Sequence, residues 1–160
     1  MRHLLIKLLT VLAFATVATG ALAAAPKGEV DRVLAMDAPP PGVVFEVVSW
    51  QEDALTAIVP EITRYAERLR ARFPELPVAV VTHGSEQFSL MTSEQDSYSE
   101  LHSQVRALSG DGGVDVHVCG NHASWRDKGT EDFPDYVDVA SSAASKMSEY
   151  RALGYVVIFF

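Results

Sequence analysis

The chain has 160 residues with 21 acidic and 13 basic side chains, which gives a formal net charge of −8 at pH 7. Because nucleic-acid binding depends on Lys and Arg contacts to phosphates, this acidic balance argues against a nucleic-acid partner. The chain contains a single cysteine, so it cannot form an intrachain disulfide, and the fold must depend on its hydrophobic core.

The first 23 residues have the layout of a secretory signal peptide. Arg2 and Lys7 precede an apolar run over 8–17, and the small residues that follow include the sequence ALA at 21–23. A basic start, a short apolar run and a small-residue cleavage site are the three parts of such a signal. We therefore predict cleavage after residue 23 and export to the periplasm. An uncleaved membrane anchor is the alternative, although the apolar run is short for a membrane span.

A proline-rich segment follows the signal. It covers 24–42 and ends in the sequence PPPG at 39–42. Consecutive prolines interrupt regular structure and stiffen the chain. The pattern predicts a semi-rigid linker arm over 24–42 and one folded domain over 43–160.

Within this domain, apolar runs alternate with segments of helical period. Strands are predicted at 43–49, 78–84, 114–120, 136–140 and 155–160, and helices are predicted to end near 73 and to span 99–109 and 142–153. Alternation of strands and helices is typical of a parallel sheet. With right-handed crossovers, this order predicts an α/β fold: a small, doubly wound, mostly parallel five-stranded sheet with helices on both faces.

Three short segments fall at the carboxyl ends of predicted strands. They are SWQ at 49–51, THG at 82–84 and VCGNH at 118–122. Ligands of open α/β sheets bind at this edge, outside the carboxyl ends of the strands. We therefore expect the functional residues to collect there.

Cys119 lies where the third strand gives way to a helical turn. Backbone N–H groups at a helix start stabilise a thiolate, and Gly120 leaves room beside the sulfur. His122 would share the face of Cys119, and Arg126 would add positive charge. These features favour a nucleophilic thiolate. The structural alternative is a small buried side chain, since free cysteine is among the most buried residue types.

Histidines flank this cysteine and follow the second strand. His83 stands before a glycine and either closes a turn or takes part in the site. A period of two places Asp115, His117 and Cys119 on one face of the third strand, so this polar face lines a cleft or meets another subunit.

Cofactor and metal motifs give weaker signals. The segment LSGDGGVD at 108–115 lacks the lysine of a phosphate loop. Cys119 and His83, His117 and His122 could ligate copper or zinc, but their spacing matches no recognised ligand pattern. We expect no cofactor and no metal.

Four segments spread over 43–160 carry a family resemblance. They are FEVVS at 45–49, VVTHG at 80–84, VDVHVCGNHASWR at 114–126 and FPDYVDVASSAASKMSEYRALGYVVI at 133–158. By these segments the sequence resembles the DsrE/DsrF-like family of small sulfur-handling proteins. The resemblance implies a compact, doubly wound fold of the DsrE/YchN type with a flavodoxin-like topology.

The resemblance also implies site residues and assembly. In members that relay sulfur, a cysteine at the end of the third strand carries a persulfide, and Cys119 occupies that position. Arg126 matches a basic residue one to two turns downstream. Members of the family form homo-oligomers, often trimers or hexamers, which would account for the polar face around His117.

The leading hypothesis is a periplasmic sulfur carrier or sulfurtransferase-like protein. Cys119 would hold sulfane sulfur as a persulfide, with His122 and Arg126 stabilising its thiolate and His83 orienting the donor or acceptor. The partners would be sulfur donor and acceptor proteins or small sulfur compounds. Two alternatives stay open: a non-catalytic oligomeric module that binds a metal or small ligand at the same edge, and a structural oligomer with an inert cysteine.

Overall fold

The computed structural model describes residues 25–160, which build a five-stranded, all-parallel sheet flanked by helices. The elements are α1 (Pro26–Leu34), β1 (Val43–Val47), α2 (Leu55–Arg72), β2 (Val78–Thr82), α3 (Ser99–Ser109), β3 (Val114–Cys119), α4 (Gly120–Ser124), β4 (Asp138–Ala140), α5 (Ala143–Ala152) and β5 (Val156–Phe159). Short 3₁₀ segments lie at 85–90, 92–94 and 130–132. The predicted α/β class and five-stranded sheet are confirmed.

The strand order decides which face of the sheet each helix covers. The order is β4-β3-β2-β1-β5, so the chain steps in one direction from β1 to β4 and then crosses back to β5 beyond β1. Right-handed crossovers place α2 and α3 on one face and α5 on the other. The flavodoxin order 2-1-3-4-5 differs, because there β2 and β3 lie on opposite sides of β1. The flavodoxin-like detail of the predicted topology is therefore wrong.

Alternating strand residues divide the core into two unequal parts. Phe45, Val80 and Val118 point to the α2–α3 face, where they join the larger cluster with Ile62 and Leu69. On the opposite face, which we call the α5 face, Val44, Ala79, Val81 and Cys119 pack against Ala143, Met147 and Tyr150. Only α5 crosses this second face among the described residues, so polar groups at the strand ends stay accessible beside it.

The segment predicted as a linker arm is part of the packed domain. Residues Pro26–Leu34 form α1, and its Val30 and Val33 are buried in the larger core cluster. Pro26 is the first residue of the helix. A backbone N–H at this position has no partner within the helix, so a proline, which lacks the N–H, costs no hydrogen bond there. The α1 segment is therefore a packed helix and not part of a linker arm over 24–42. The spacing of its apolar residues allows them to be buried, even though prolines follow at 39–41.

The signal-peptide prediction at 1–23 lies outside the described residues. Among the helices of residues 25–160, none combines the length and the apolar composition that a membrane span requires.

Candidate functional site

A cleft of about 470 Å³ opens at the carboxyl ends of β1, β2 and β3, beside α5; we call it the Cys119 cleft. Its lining residues are Glu46, Val48, Trp50, His83, Gly84, Cys119, Asn121, His122, Trp125, Ser142, Ala143, Ala144, Met147 and Arg151. All three segments that the sequence placed at strand ends contribute to this wall. The predicted clustering at one sheet edge is therefore what the fold produces.

Cys119 ends β3 and caps α4, and its side chain is the acceptor of two backbone hydrogen bonds. Its Sγ accepts from the N–H of His122 at 3.4 Å and from the N–H of Ala143 at 3.3 Å. The first donor lies in α4, and the second opens α5. Two N–H groups at helix starts stabilise negative charge on a sulfur. The residue is only 6 % exposed, and this exposed part faces the cleft.

Strand pairing brings the second helix start to the sulfur. Cys119 pairs with Ala140 of β4, and Ser142 caps α5 by accepting from the N–H of Ser145 at 3.1 Å. Gly120 lets this end of β4 approach, because an added Cβ would lie 2.8 Å from the carbonyl oxygen of Ala140. The glycine that was expected to open space beside the sulfur thus also permits close packing of two strand ends.

Gln87 holds the backbone of Cys119 in place. Its Oε1 accepts from the N–H of Cys119 at 2.8 Å, and its Nε2 donates to the carbonyl of Cys119 at 3.4 Å. Gln87 is completely buried. The Gln87 amide thus supplies hydrogen-bond partners for the N–H and the carbonyl of Cys119 at the end of β3. Buried backbone groups require such partners.

Glu86, also completely buried, joins the ends of β1 and β2. Its carboxylate accepts from the hydroxyl of Thr82 at 2.5 Å, from the N–H of Gly84 at 2.8 Å and from the N–H of Ser49 at 2.7 Å. A buried carboxylate needs such a set of donors to replace water. Glu86 therefore determines how the loops that carry Trp50 and His83 sit beside each other.

The two predicted site histidines are linked to each other. His122 Nδ1 lies 2.9 Å from the carbonyl oxygen of His83. A carbonyl oxygen can only accept, so Nδ1 is the donor in this hydrogen bond. In the neutral ring of His122 this leaves Nε2 as the acceptor. His83 Nε2 lies 3.0 Å from Glu46 Oε1, and Arg151 donates to the other oxygen of Glu46 at 3.2 Å.

Arg126 contacts Glu52 and Phe88 outside the cleft wall. Helix α4 ends at Ser124, so Arg126 does not continue the helical face that carries His122. Its guanidinium pairs with Glu52 at 2.6 Å and lies over the Phe88 ring, 3.9 Å from the ring centroid. Arg126 is also not part of the cleft wall. The expectation that Arg126 stabilises the thiolate depended on a helix that extends through residue 126, and α4 ends at Ser124.

His117 shares the strand face of Cys119 but lies under α5. Its Nε2 is 2.8 Å from the hydroxyl of Tyr150. Its Nδ1 is buried, has no hydrogen-bond partner among residues 25–160, and lies 3.7 Å from Asp138 Oδ2. Burial, together with the nearby charge of Lys146, lowers the pKa of His117 below 6.5. Burial likewise raises the pKa of Tyr150. His117 is therefore neutral at pH 7 and separate from the cleft wall.

Within residues 25–160, no three or more His, Cys, Asp or Glu side chains converge as a metal site. Of the four candidate ligands, His117 faces Tyr150, and His83 and His122 use ring nitrogens for protein contacts.

Four residues of the site escaped the sequence reasoning. Glu86 and Gln87 fall in SEQFSL, where all six residues are buried, and Glu46 and Arg151 meet across the cleft wall. In a sequence, charged and amide residues after a strand are typical of a solvated loop. Only the position of SEQFSL directly after the buried β2 hinted at a different environment.

Comparison with known proteins was made for both sequence and structure. No protein-family model matches the sequence, and no curated protein matches it. Three solved structures are similar to the fold: MTH1491 from Methanobacterium thermoautotrophicum (TM-score 0.57, 20 % identity), BT1422 from Bacteroides thetaiotaomicron (0.51, 9 %) and ychN from E. coli (0.55, 13 %).

These matches span most of this chain and nearly all of each solved structure. They cover 74 %, 73 % and 74 % of this chain and 97 %, 94 % and 99 % of MTH1491, BT1422 and ychN, respectively. MTH1491 and BT1422 are described as proteins of unknown function. The folded part of this chain, an all-parallel five-stranded α/β sheet, thus has the DsrE/YchN type of fold.

Proposed function

We propose that this protein is an exported sulfur carrier that holds sulfane sulfur on Cys119. The thiolate attacks the outer sulfur of a donor, and a new S–S bond forms on Cys119 as the donor's own bond to that sulfur breaks. The donor's remaining group leaves with the bonding electron pair, so no oxidant is needed. An acceptor thiolate then removes the sulfur by the same displacement and regenerates the Cys119 thiolate.

The environment of the sulfur carries this proposal. The N–H groups of His122 and Ala143 both point at Sγ, and the exposed part of Cys119 faces the cleft. The two donors favour the thiolate, and the cleft admits a small donor. The same N–H groups would stabilise a persulfide anion during storage.

The two cleft histidines have distinct roles in the proposal. His122 has Nδ1 committed to the His83 carbonyl, so Nε2 is the ring nitrogen left to accept a hydrogen bond. We assign it the removal of a proton from an incoming thiol. His83, whose Nε2 contacts Glu46, orients the donor or acceptor.

Intact-mass spectrometry of the non-reduced protein tests the proposal. After incubation with thiosulfate or an organic persulfide, we expect a gain of whole sulfur atoms that a reductant removes. Cys119→Ser keeps an acceptor for the two N–H groups, so it should fold and gain no sulfur. An unchanged mass of the wild-type protein with every donor would contradict the proposal.

The low exposure of Cys119 favours one other candidate function, a small-ligand-binding module with an inert cysteine. Cys119 is 6 % exposed, and its sulfur already accepts two hydrogen bonds. Alkylation of the native protein by iodoacetamide distinguishes the two functions. A thiol that reacts only after unfolding would favour the binding module.

We also propose that the protein acts in the periplasm as a homo-oligomer, a trimer or hexamer, with a sulfur donor and acceptor as transient partners. Exposed apolar side chains outside the cleft wall support an assembly: Leu153, which follows α5, and Phe159 of β5. Large exposed apolar side chains that cluster on one face mark interaction sites. Light scattering of the purified protein should give a mass of three or six chains, and a monomer mass would contradict this assembly.

A further inference from the structure

The size of the Cys119 cleft bears on the donor that it accepts, provided that Cys119 carries sulfur as proposed above. The cleft measures about 470 Å³. Clefts that hold organic ligands are roughly 300–1,000 Å³. An inorganic sulfur anion such as thiosulfate has five heavy atoms and would leave most of this space to water.

The wall of the cleft is apolar over much of its area. Trp50 is 83 % exposed and Trp125 is 73 % exposed, and both border the opening. Val48 and Met147 continue the apolar wall inward. Exposed tryptophans lose unfavourable contact with water when an apolar ligand covers them. Such a wall suits a hydrocarbon body and offers little to a small, strongly hydrated anion.

The cation of the cleft stands at a distance from the sulfur. Ala143, whose N–H contacts Cys119, begins α5, and Arg151 lies eight residues further along the same helix. At a rise of about 1.5 Å per residue, their backbones are about 12 Å apart along the helix axis. A long helical side chain leans back towards the N-terminus, so the guanidinium lies closer to the sulfur than its backbone does.

Arg151 has hydrogen-bonding capacity left for a ligand. It donates one hydrogen bond to Glu46, and a guanidinium carries five N–H donors. Its side chain is 51 % exposed, whereas Glu46 is 13 % exposed, so the cation is the outward member of the pair. A planar guanidinium binds a carboxylate through two parallel hydrogen bonds.

We propose that the sulfur donor is a low-molecular-weight organic persulfide, R–S–SH. Its body contacts Trp50 and Trp125, and its carboxylate binds Arg151 while the outer sulfur lies at Cys119. The Cys119 thiolate attacks that outer sulfur, which yields Cys119–S–SH and breaks the S–S bond of the donor. The leaving thiolate R–S⁻ keeps the bonding electrons and takes a proton from water.

A matched pair of donors tests the proposal. The probes are the persulfide of 6-mercaptohexanoic acid and that of the corresponding amide, which share chain length and sulfur chemistry. Mass spectrometry follows the initial rate of sulfur loading onto Cys119. We expect the acid to load about tenfold faster than the amide, through the charged hydrogen bonds to Arg151. Arg151→Gln should abolish this preference, and the matched control Arg64→Gln, an exposed arginine of α2, should keep it.

A second readout separates this proposal from the carrier function. The only two tryptophans of the chain both line the cleft, so tryptophan fluorescence of Cys119→Ser reports binding of 6-mercaptohexanoic acid without any sulfur transfer. Equal loading rates for acid and amide, or no fluorescence change, would overturn the organic-carboxylate donor and leave the carrier function standing. Acid-selective binding to Cys119→Ser with no loading of the wild type would support the ligand class and overturn the carrier function.

Discussion

The side-chain amide of Gln87 is hydrogen-bonded to both the N–H and the carbonyl of Cys119, at 2.8 Å and 3.4 Å. Gln87 lies 32 residues before Cys119, in the segment that follows β2. The contact connects the segment after β2 to the end of β3, where the side chain of Cys119 begins. The position of Sγ relative to its two N–H donors therefore depends on a residue with no chemistry of its own.

Replacing Gln87 by Met should weaken both the fold and the site. The side chain keeps its approximate volume but leaves two buried backbone groups of Cys119 without partners. We expect a loss of about 2–4 kcal/mol in the free energy of unfolding, measured by urea titration, since each unpaired buried group costs about 1–3 kcal/mol. Gln95→Met, at an exposed position, is the control. Equal stability of the two variants would show that the amide contributes nothing.

Glu86→Gln tests the link between β1 and β2. One oxygen of the buried carboxylate becomes an NH₂ group, which must face a backbone N–H of Ser49 or Gly84 instead of accepting from it. We expect the variant to lose about 2–4 kcal/mol of unfolding free energy, because a charged acceptor is lost and a donor is left unpaired. Glu67→Gln, on the exposed side of α2, should change stability by less than about 0.5 kcal/mol. A wild-type-like urea midpoint for Glu86→Gln would argue against a role in joining the strand ends.

His117 predicts a pH dependence of stability. Burial and Lys146 lower its pKa in the folded state below the unfolded value of 6.5. The unfolded state therefore binds the proton more readily, and stability decreases as the pH falls below 6.5. In His117→Gln this component is absent, so its stability relative to wild type should rise as the pH drops from 7 to 5. The measurement is the free energy of unfolding of both proteins between pH 7 and pH 5. A difference between the two proteins that does not change with pH would contradict the prediction.

Arg126→Gln tests whether this arginine acts on the thiolate. Its guanidinium pairs with Glu52 and lies over Phe88 outside the cleft wall. We expect the rate of Cys119 alkylation at pH 7 to change by less than about twofold, because an exposed, paired charge is largely screened. A fall in the alkylation rate of more than about twofold would restore Arg126 to the site.

Gly120→Ala examines the close approach of β4 to the cysteine. The added Cβ would lie 2.8 Å from the carbonyl oxygen of Ala140 and 3.2 Å from a methyl group of Val139. Since backbone cannot move as freely as a side-chain tip, we expect a loss of about 1–3 kcal/mol, as for other overpacked sites. Thermal unfolding measures this loss, and an unchanged midpoint would mean that the two strand ends separate at no cost.

Short-range patterns of the sequence were enough for the strands and for the place of Cys119. Apolar runs and helical periods are local, so they located β1 to β5 and put Cys119 at the end of β3, before a helical turn. Export, by contrast, stays a prediction from residues 1–23. The linker arm was misjudged because PPPG at 39–42 is a strong local signal, whereas the burial of Val30 and Val33 depends on the distant α2 and β5 elements.

The tertiary structure alone decided what surrounds the sulfur. The N–H of Ala143 reaches Sγ from 24 residues away, because β4 pairs with β3 and places the start of α5 beside it. Arg126 lies outside the cleft wall because α4 ends at Ser124, and Glu86 and Gln87 are buried links between strand ends. A sequence determines its elements through neighbours along the chain. The partners of each side chain depend on strand order and on crossover hand, which bring together residues that no local pattern connects.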